Sequence, residues 1–186
     1  MQKHANMWRL TDDYWDSWNQ LRDMFDRCQK WAPFVEEGTW PDCDMLPLGH
    51  LGIRSVDGGG SDRMTRFTQD EQKTMMTLWS LFRSPLLFGG ELTDLDEWTR
   101  DLLQSEDLVA IHANGKRPGE VYRDGQFIVW KTQTDKHEWL AVFNVSDEDR
   151  TFRVNLKAFL ENTTHQGNLK AVLIQKLPST HKTVRR

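Results

Sequence analysis

The hydrophobic period of this chain changes near Gly115, and that change restricts its fold more than any other feature. Before it, apolar residues recur three or four apart: Trp15, Trp18, Leu21, Phe25 and Cys28, then Met75, Met76, Trp79 and Phe82, then Leu95, Trp98, Leu102 and Leu103. That spacing gathers side chains on one face of a helix. After it the pattern alternates, with Phe127 and Val129, then Trp139, Ala141 and Phe143, then Phe152, Val154 and Leu156. Alternation puts one face of an antiparallel sheet toward a core. The expectation is an α/β part at 1–115, an all-β part at 116–177 and a tail at 178–186.

Each helical pattern follows a short apolar segment: Met7–Thr11, Thr39–Leu48 and Pro85–Phe88. Strand then helix, repeated, predicts βα units on a parallel sheet. Thr68 and Glu71 are spaced as a capping box for the second helix, Thr93 is placed to cap the third, and Ser105 begins a further turn with Leu108, Val109 and Ile111. The stretch around Gly58, Gly59 and Gly60 predicts a loop. In the second half Asp124–Gly125 reads as a two-residue hairpin turn, Ser146–Asp149 as a polar turn, and Leu169–Ile174 as one more strand. Three βα units do not close a barrel of eight, which takes about 250 residues. The fold is therefore either smaller than a barrel or one portion of it.

Composition excludes several classes. The formal charge is -4, and only His181–Arg186 is basic, so no cationic face for nucleic acid is expected. No apolar run is long enough to span a membrane. Cys28 and Cys43 are too few for a disulfide framework and lack zinc spacing, so they read as free thiols, and no metal or cofactor is expected. The triple glycine lacks the preceding strand and the following Lys and Ser/Thr of a phosphate loop. His50 and His112 stand without a partner at ligand or triad spacing. Nine tryptophans and nine phenylalanines either fill cores or stack on sugars. Residues 1–7 lack the apolar core of a secretion signal, and neither compartment nor oligomeric state is assigned.

The residues able to carry chemistry cluster after the first two strands. Asp12 and Asp13 directly follow the first, where parallel α/β folds place their sites. A carboxyl there serves as a general acid, although position alone favours a helix-capping role. Asp42 and Asp44, two apart, would share one face of a strand, offering paired acceptors to sugar hydroxyls, two ligands to a hard cation such as calcium, or acceptors to loop amides. Arg9 projects from the first strand four residues before Asp13 and can orient an oxygen or hold a carboxylate ionised.

Together these segments resemble the family 27 glycoside hydrolases, which include α-galactosidases and α-N-acetylgalactosaminidases. The likeness covers roughly Asn6 to Leu156. Arg9, Leu10, Thr11, Asp12, Asp13 and Tyr14 are similar to the family's Arg-x-x-Gly-Asp segment, with Asp12 in place of Gly. Trp40 through Leu46 is similar to its Trp-Asn/Pro-Asp-x-Asp-Met-Leu motif. Thr77–Phe88 and Leu108–Ile111 resemble later family segments. The resemblance implies the sixth to eighth βα units of a (β/α)8 TIM barrel followed by an antiparallel β-sandwich, whose later strands are not found after Leu156. It implies Asp13 as acid/base, with Arg9, Trp40, Asp44 and Met45 as substrate contacts, and a terminal α-galactoside as substrate. The family's nucleophile, an aspartate in a Lys-apolar-Asp context on the fourth barrel strand, has no counterpart before Arg9. The isolated chain is therefore expected to be inactive. Two rivals remain: a non-catalytic carbohydrate-binding or scaffold fragment, and an incomplete product that folds poorly. The stretch from Arg54 to Phe67 is longer than in common members and looks more like a bacterial branch.

Overall fold

A computed structural model describes residues 4–55, 61–135, 137–148, 150–152, 159 and 168–174. The first strand, β1 (Met7–Arg9), leads through a bent, irregular connection to helix α1 (Trp18–Trp31). The second, β2 (Trp40–Asp42), pairs parallel with β1, with Met7 opposite Trp40 and Arg9 opposite Asp42. Both strands therefore end on the same side. In β1 Trp8 is buried between exposed Met7 and Arg9, the alternation of a pleated strand packed on one face.

Helix α1 buries Leu21, Met24, Phe25 and Cys28, as the spacing predicts, but Trp15 lies before its start. Helix α2 (Gln69–Phe82) opens on the expected capping box: the Glu71 amide donates to Thr68 Oγ1 at 3.3 Å and the Thr68 amide to Glu71 Oε2 at 2.8 Å. Between β2 and α2 the chain forms a two-stranded hairpin, β3 (His50–Leu51) with β4 (Arg63–Met64), which the sequence pattern did not signal. Residues 56–60, the glycine-rich tip, lie outside the described residues.

Pro85–Phe88 forms a single parallel bridge, Leu46 with Phe88, instead of a regular strand. Its backbone still runs alongside the β2 segment, since Leu46 N–H donates to Leu87 O at 2.7 Å and Gly89 N–H to Leu46 O at 2.9 Å. The third helix, α3 (Glu97–Leu103), is capped by Asp96 rather than Thr93: Asp96 Oδ1 accepts the Thr99 amide at 2.8 Å. Thr93 instead bonds Glu91 within a 3-10 turn. Helix α4 (Glu106–Asn114) follows Ser105.

The chain then passes directly into β5 (Lys116–Arg123), β6 (Phe127–Gln133) and β7 (His137–Asn144), an antiparallel run, with β8 (Asn168–Ile174) beside β7. Two expectations need correction. The β5–β6 turn has three residues, Asp124 to Gln126, because the Asp124 carboxylate takes the amides of Gln126 and Phe127 while Gly125 adopts φ 86°. And β8 runs parallel to β7, not antiparallel; the long connection from residue 145 to 167 supplies the crossover a parallel neighbour requires. Of the expected strand Phe152–Leu156, residues 153–156 lie outside the described residues, as does the tail at 178–186.

One continuous core joins the two parts. Phe25 of α1 meets Phe143 of β7 edge-on at 5.0 Å, and Phe82 of α2 meets Trp130 of β6 at 6.4 Å. Edge-to-face aromatic pairs at these spacings add to area burial. Helices α1 and α2 are thus held against the sheet.

Candidate active site

Parallel pairing of β1 with β2 sets Arg9 beside Asp42 and sends both chains into loops at the same end. Arg9 Nη2 there donates to Asp44 Oδ2 at 2.5 Å and to the Asp12 carbonyl at 3.1 Å, and lies 3.8 Å from Asp13 Oδ1. Asp44 is the hub. Its Oδ2 also accepts the Tyr14 amide at 2.7 Å, and its Oδ1 accepts the Met45 amide at 2.7 Å. One carboxylate therefore fastens the Asp13 loop to the Met45 loop through charge-assisted bonds, the stronger kind.

The geometry of Asp44 depends on its backbone. It adopts φ 77°, in the left-handed region where aspartate is tolerated better than most residues. Asp42 supports this bend by accepting the Asp44 amide at Oδ1, 2.8 Å away, and burial pushes the Asp42 carboxyl above its ordinary value. The two aspartates thus do not share a strand face: the pleat ends at Asp42, and only Asp44 reaches the cluster. Asp42 bonds a loop amide instead. From below, Ser84 Oγ accepts the Cys43 amide at 2.9 Å, and Trp79 Nε1 donates to Asp44 O at 3.2 Å.

Asp13 itself is 93% exposed at its side chain, whereas Asp44 is 14% exposed. The first is free to meet an incoming group while the second is committed to protein partners. Met45 passes over Gly89 so closely that a Cβ there would lie 2.6 Å from its Sδ. Trp40 does not join the cluster. It begins β2 opposite Met7, and its ring lies 4.6 Å from the Arg83 guanidinium, which also donates to His112 O at 3.0 Å.

Two features were not visible in the sequence pattern. Asp16, buried behind Asp13, receives Arg63 at both oxygens, Nη1 to Oδ2 at 2.5 Å and Nη2 to Oδ1 at 2.8 Å, and also the Arg66 amide at 2.6 Å. His50, read as solitary, bonds Asp94 through Nδ1 and Asp62 through Nε2, each at 2.7 Å. These contacts raise its pKa, Asp62 contributing most. Their partners lie far off in sequence, so no local spacing reveals them. Among the described residues no cluster of His, Cys, Asp or Glu is arranged to hold a metal, and no helix is long and apolar enough to cross a membrane.

A carboxylate and arginine cluster at the carboxyl ends of adjacent parallel strands stands where barrel folds carry their sites. The family model described as alpha galactosidase A matches residues 1–114, and the chain belongs to that family, the family 27 glycoside hydrolases. It is 29% identical to alpha-galactosidase 2 of Arabidopsis thaliana over 128 residues, covering 68% of this chain and 29% of that protein. It is 26% identical to human alpha-galactosidase A over 149 residues, 75% of this chain and 30% of the other. Among solved structures, a family 27 β-L-arabinopyranosidase from Geobacillus stearothermophilus, in complex with arabinose, superposes with TM-score 0.75 at 58% identity, over 78% of this chain and 34% of that one. Alpha-galactosidase I of Mortierella vinacea shares the fold at TM-score 0.65 and 16% identity, over 78% of this chain and 39% of its own. The chain thus spans about three-tenths of the length of these curated relatives.

Proposed function

We propose that this chain carries the acid/base half of a retaining glycosidase site acting on terminal α-galactosides. The carrying observation is the Arg9–Asp13–Asp44 cluster at the carboxyl ends of two paired parallel strands. On this reading the three parallel segments and their helices are the sixth to eighth units of a (β/α)8 barrel, residues 1–115, and 116–177 form the β domain behind it. Exposed Met7 and Leu87, at 52% and 47%, sit beside buried Trp8 and core-packed Leu86, as expected of strands whose inner face meets further barrel strands.

Retaining hydrolysis uses two carboxyl groups. Asp13, in its protonated form, donates to the oxygen of the departing group while a nucleophilic carboxylate attacks the anomeric carbon; as carboxylate, it then takes a proton from the water that releases the sugar. Arg9 and Asp44 hold the Asp13 loop, and Met45 shapes the wall. The nucleophile lies outside this chain, so the isolated chain should release no nitrophenol from p-nitrophenyl α-galactoside. A longer polypeptide supplying the rest of the barrel should do so. In it Asp13→Ala should depress hydrolysis of a methyl galactoside far more than of the nitrophenyl one, because only the poor leaving group needs the proton. Equal losses on both substrates would remove Asp13 from the acid role, and turnover by the isolated chain would refute the missing half.

A second substrate is favoured by the 58% identity to a β-L-arabinopyranosidase. That pentose ring has the configuration of α-galactopyranose without the exocyclic hydroxymethyl, so one pocket accepts both. The ratio of kcat/KM for the two nitrophenyl glycosides decides which is preferred.

A further inference from the structure

Behind Asp13 the chain runs to α1 through a stretch that bends at Asp16, where the Ser17 amide donates to the Trp15 carbonyl at 2.8 Å, and whose exposure alternates. Asp13 is exposed, Tyr14 buried, Trp15 partly exposed and Asp16 buried. Asp13 and Trp15 therefore share the open side, and Tyr14 and Asp16 the core side, where Tyr14 lies 5.1 Å from Trp79.

Every residue around Trp15 is tied down. The Tyr14 amide donates to Asp44, the Trp15 amide to Gln20 Oε1 at 2.9 Å, and Asp16 takes the Arg63 fork. That fork has a second consequence: it sets the Arg63 guanidinium 6.0 Å from the centre of the Trp15 ring, within reach of a cation–π contact. The hairpin β3–β4 thus reaches back across the site to brace an indole next to the exposed carboxyl, at a fixed place and on a fixed backbone.

We propose that Trp15, braced by Arg63, is the stacking platform of the leaving-group subsite, accepting the flat apolar face of an aryl ring or of a pyranose. This rests on the assignment of Asp13 as the acid: the group it protonates departs on Asp13's side, so whatever flanks Asp13 there meets the leaving group. Met45 sits beyond Arg9 toward the second strand, on the side of the retained sugar, where the Asp44 carboxylate holds its amide. Preorganisation matters because a ring already held loses little freedom on contact.

The test is isothermal titration of the full chain with methyl α-galactoside, p-nitrophenyl α-galactoside and an α-1,6-galactosyl glucose, repeated with Trp15→Ala and Trp15→Phe. An aromatic contact of this kind corresponds to about three- to tenfold in affinity. The nitrophenyl glycoside, the disaccharide or both should bind tighter than the methyl glycoside by that factor, and which of them does identifies the face accepted. Trp15→Ala should abolish the advantage while leaving methyl galactoside affinity unchanged, which also shows the variant folded; Trp15→Phe should keep most of it for the aryl ring. If all three probes bind and Trp15→Ala leaves their ratios as they were, the platform is refuted and the sugar pocket stands. If no probe binds, the chain presents no leaving-group subsite and the platform is refuted, while the glycosidase reading is decided by hydrolysis in the longer polypeptide.

Discussion

Removing Asp16 should destabilise the chain far more than removing any exposed aspartate. Its side chain is 1% exposed and accepts the Arg63 fork and the Arg66 amide, while Arg63 is 15% exposed. In Asp16→Ala the guanidinium keeps only a long 3.3 Å bond to Met64 O. Breaking a buried pair by deleting one partner costs about 3–5 kcal/mol. Because the guanidinium retains some access to water, the lower end, about 3 kcal/mol, is expected for Asp16→Ala. Arg63→Met should cost more, about 4–5 kcal/mol, since it strands a carboxylate with no comparable access to water. For a chain of this size 3 kcal/mol lowers Tm by about 6–12 °C. The double variant removes both charges together and should cost less than the sum of the singles by about 2 kcal/mol or more. Urea denaturation of the wild type, both singles and the double, with coincident fluorescence and circular dichroism transitions, measures all of these terms. Additive losses, or singles within 1 kcal/mol of wild type, would show that the fork contributes no coupling, and the bracing of Trp15 would lose its physical basis.

The His50 contacts give a pH signature. Its folded pKa is raised by Asp62 and Asp94, so the stability they contribute is fully present below the unfolded value near 6.5 and fades as pH rises through the folded one. Tm profiles of wild type and His50→Gln should therefore diverge in mild acid and converge in alkali; a constant gap would contradict this. Cys28 and Cys43 are buried with sulfurs 3.5 Å apart, and burial pushes the Cys28 thiol up, so an aromatic disulfide reagent should label neither in the native chain and both in urea. Gly90→Ala would set a Cβ 2.2 Å from the Leu48 carbonyl and should cost about 1–3 kcal/mol, whereas Gly89→Ala meets the flexible Met45 side chain first, at 2.6 Å, with the Leu46 carbonyl at 3.3 Å, and should disturb sugar binding more than stability. Comparison of Tm with galactoside affinity for the two variants separates these outcomes.

The helices were legible because their signals are local. The box of Thr68 and Glu71 lies within one turn, and the apolar face of α1 repeats every three or four residues. Where two residues compete for one role, locality fails: Thr93 and Asp96 both offer a cap, and Asp96 wins because its carboxylate reaches both the amide and the hydroxyl of Thr99, at 2.8 and 2.7 Å. The direction of β8 was not legible for a related reason. Alternation records which face of a strand is buried, not which way its neighbour runs, and only the long connection before β8 admits the parallel option that the fold takes.

The site shows the same division. Arg9, Asp13, Asp44 and Met45 could be named from their positions after two strands and from resemblance, and pairing of β1 with β2 brings them together. What could not be read was the difference in duty between the two exposed-looking carboxylates. A spacing of two suggested that Asp42 and Asp44 act alike, yet the left-handed turn at Asp44 separates them and spends its two oxygens on Arg9, Tyr14 and Met45. A carboxylate so occupied orients others; one left 93% exposed is available to a substrate. It follows that Asp44→Asn, which keeps the acceptor at one oxygen but weakens the Arg9 bond, should loosen the Asp13 loop before it affects any sugar contact, whereas Asp13→Asn should leave the loop intact. Amide exchange at Tyr14, whose proton sits on Asp44 Oδ2, reads that distinction directly: it should accelerate in Asp44→Asn and stay at the wild-type rate in Asp13→Asn.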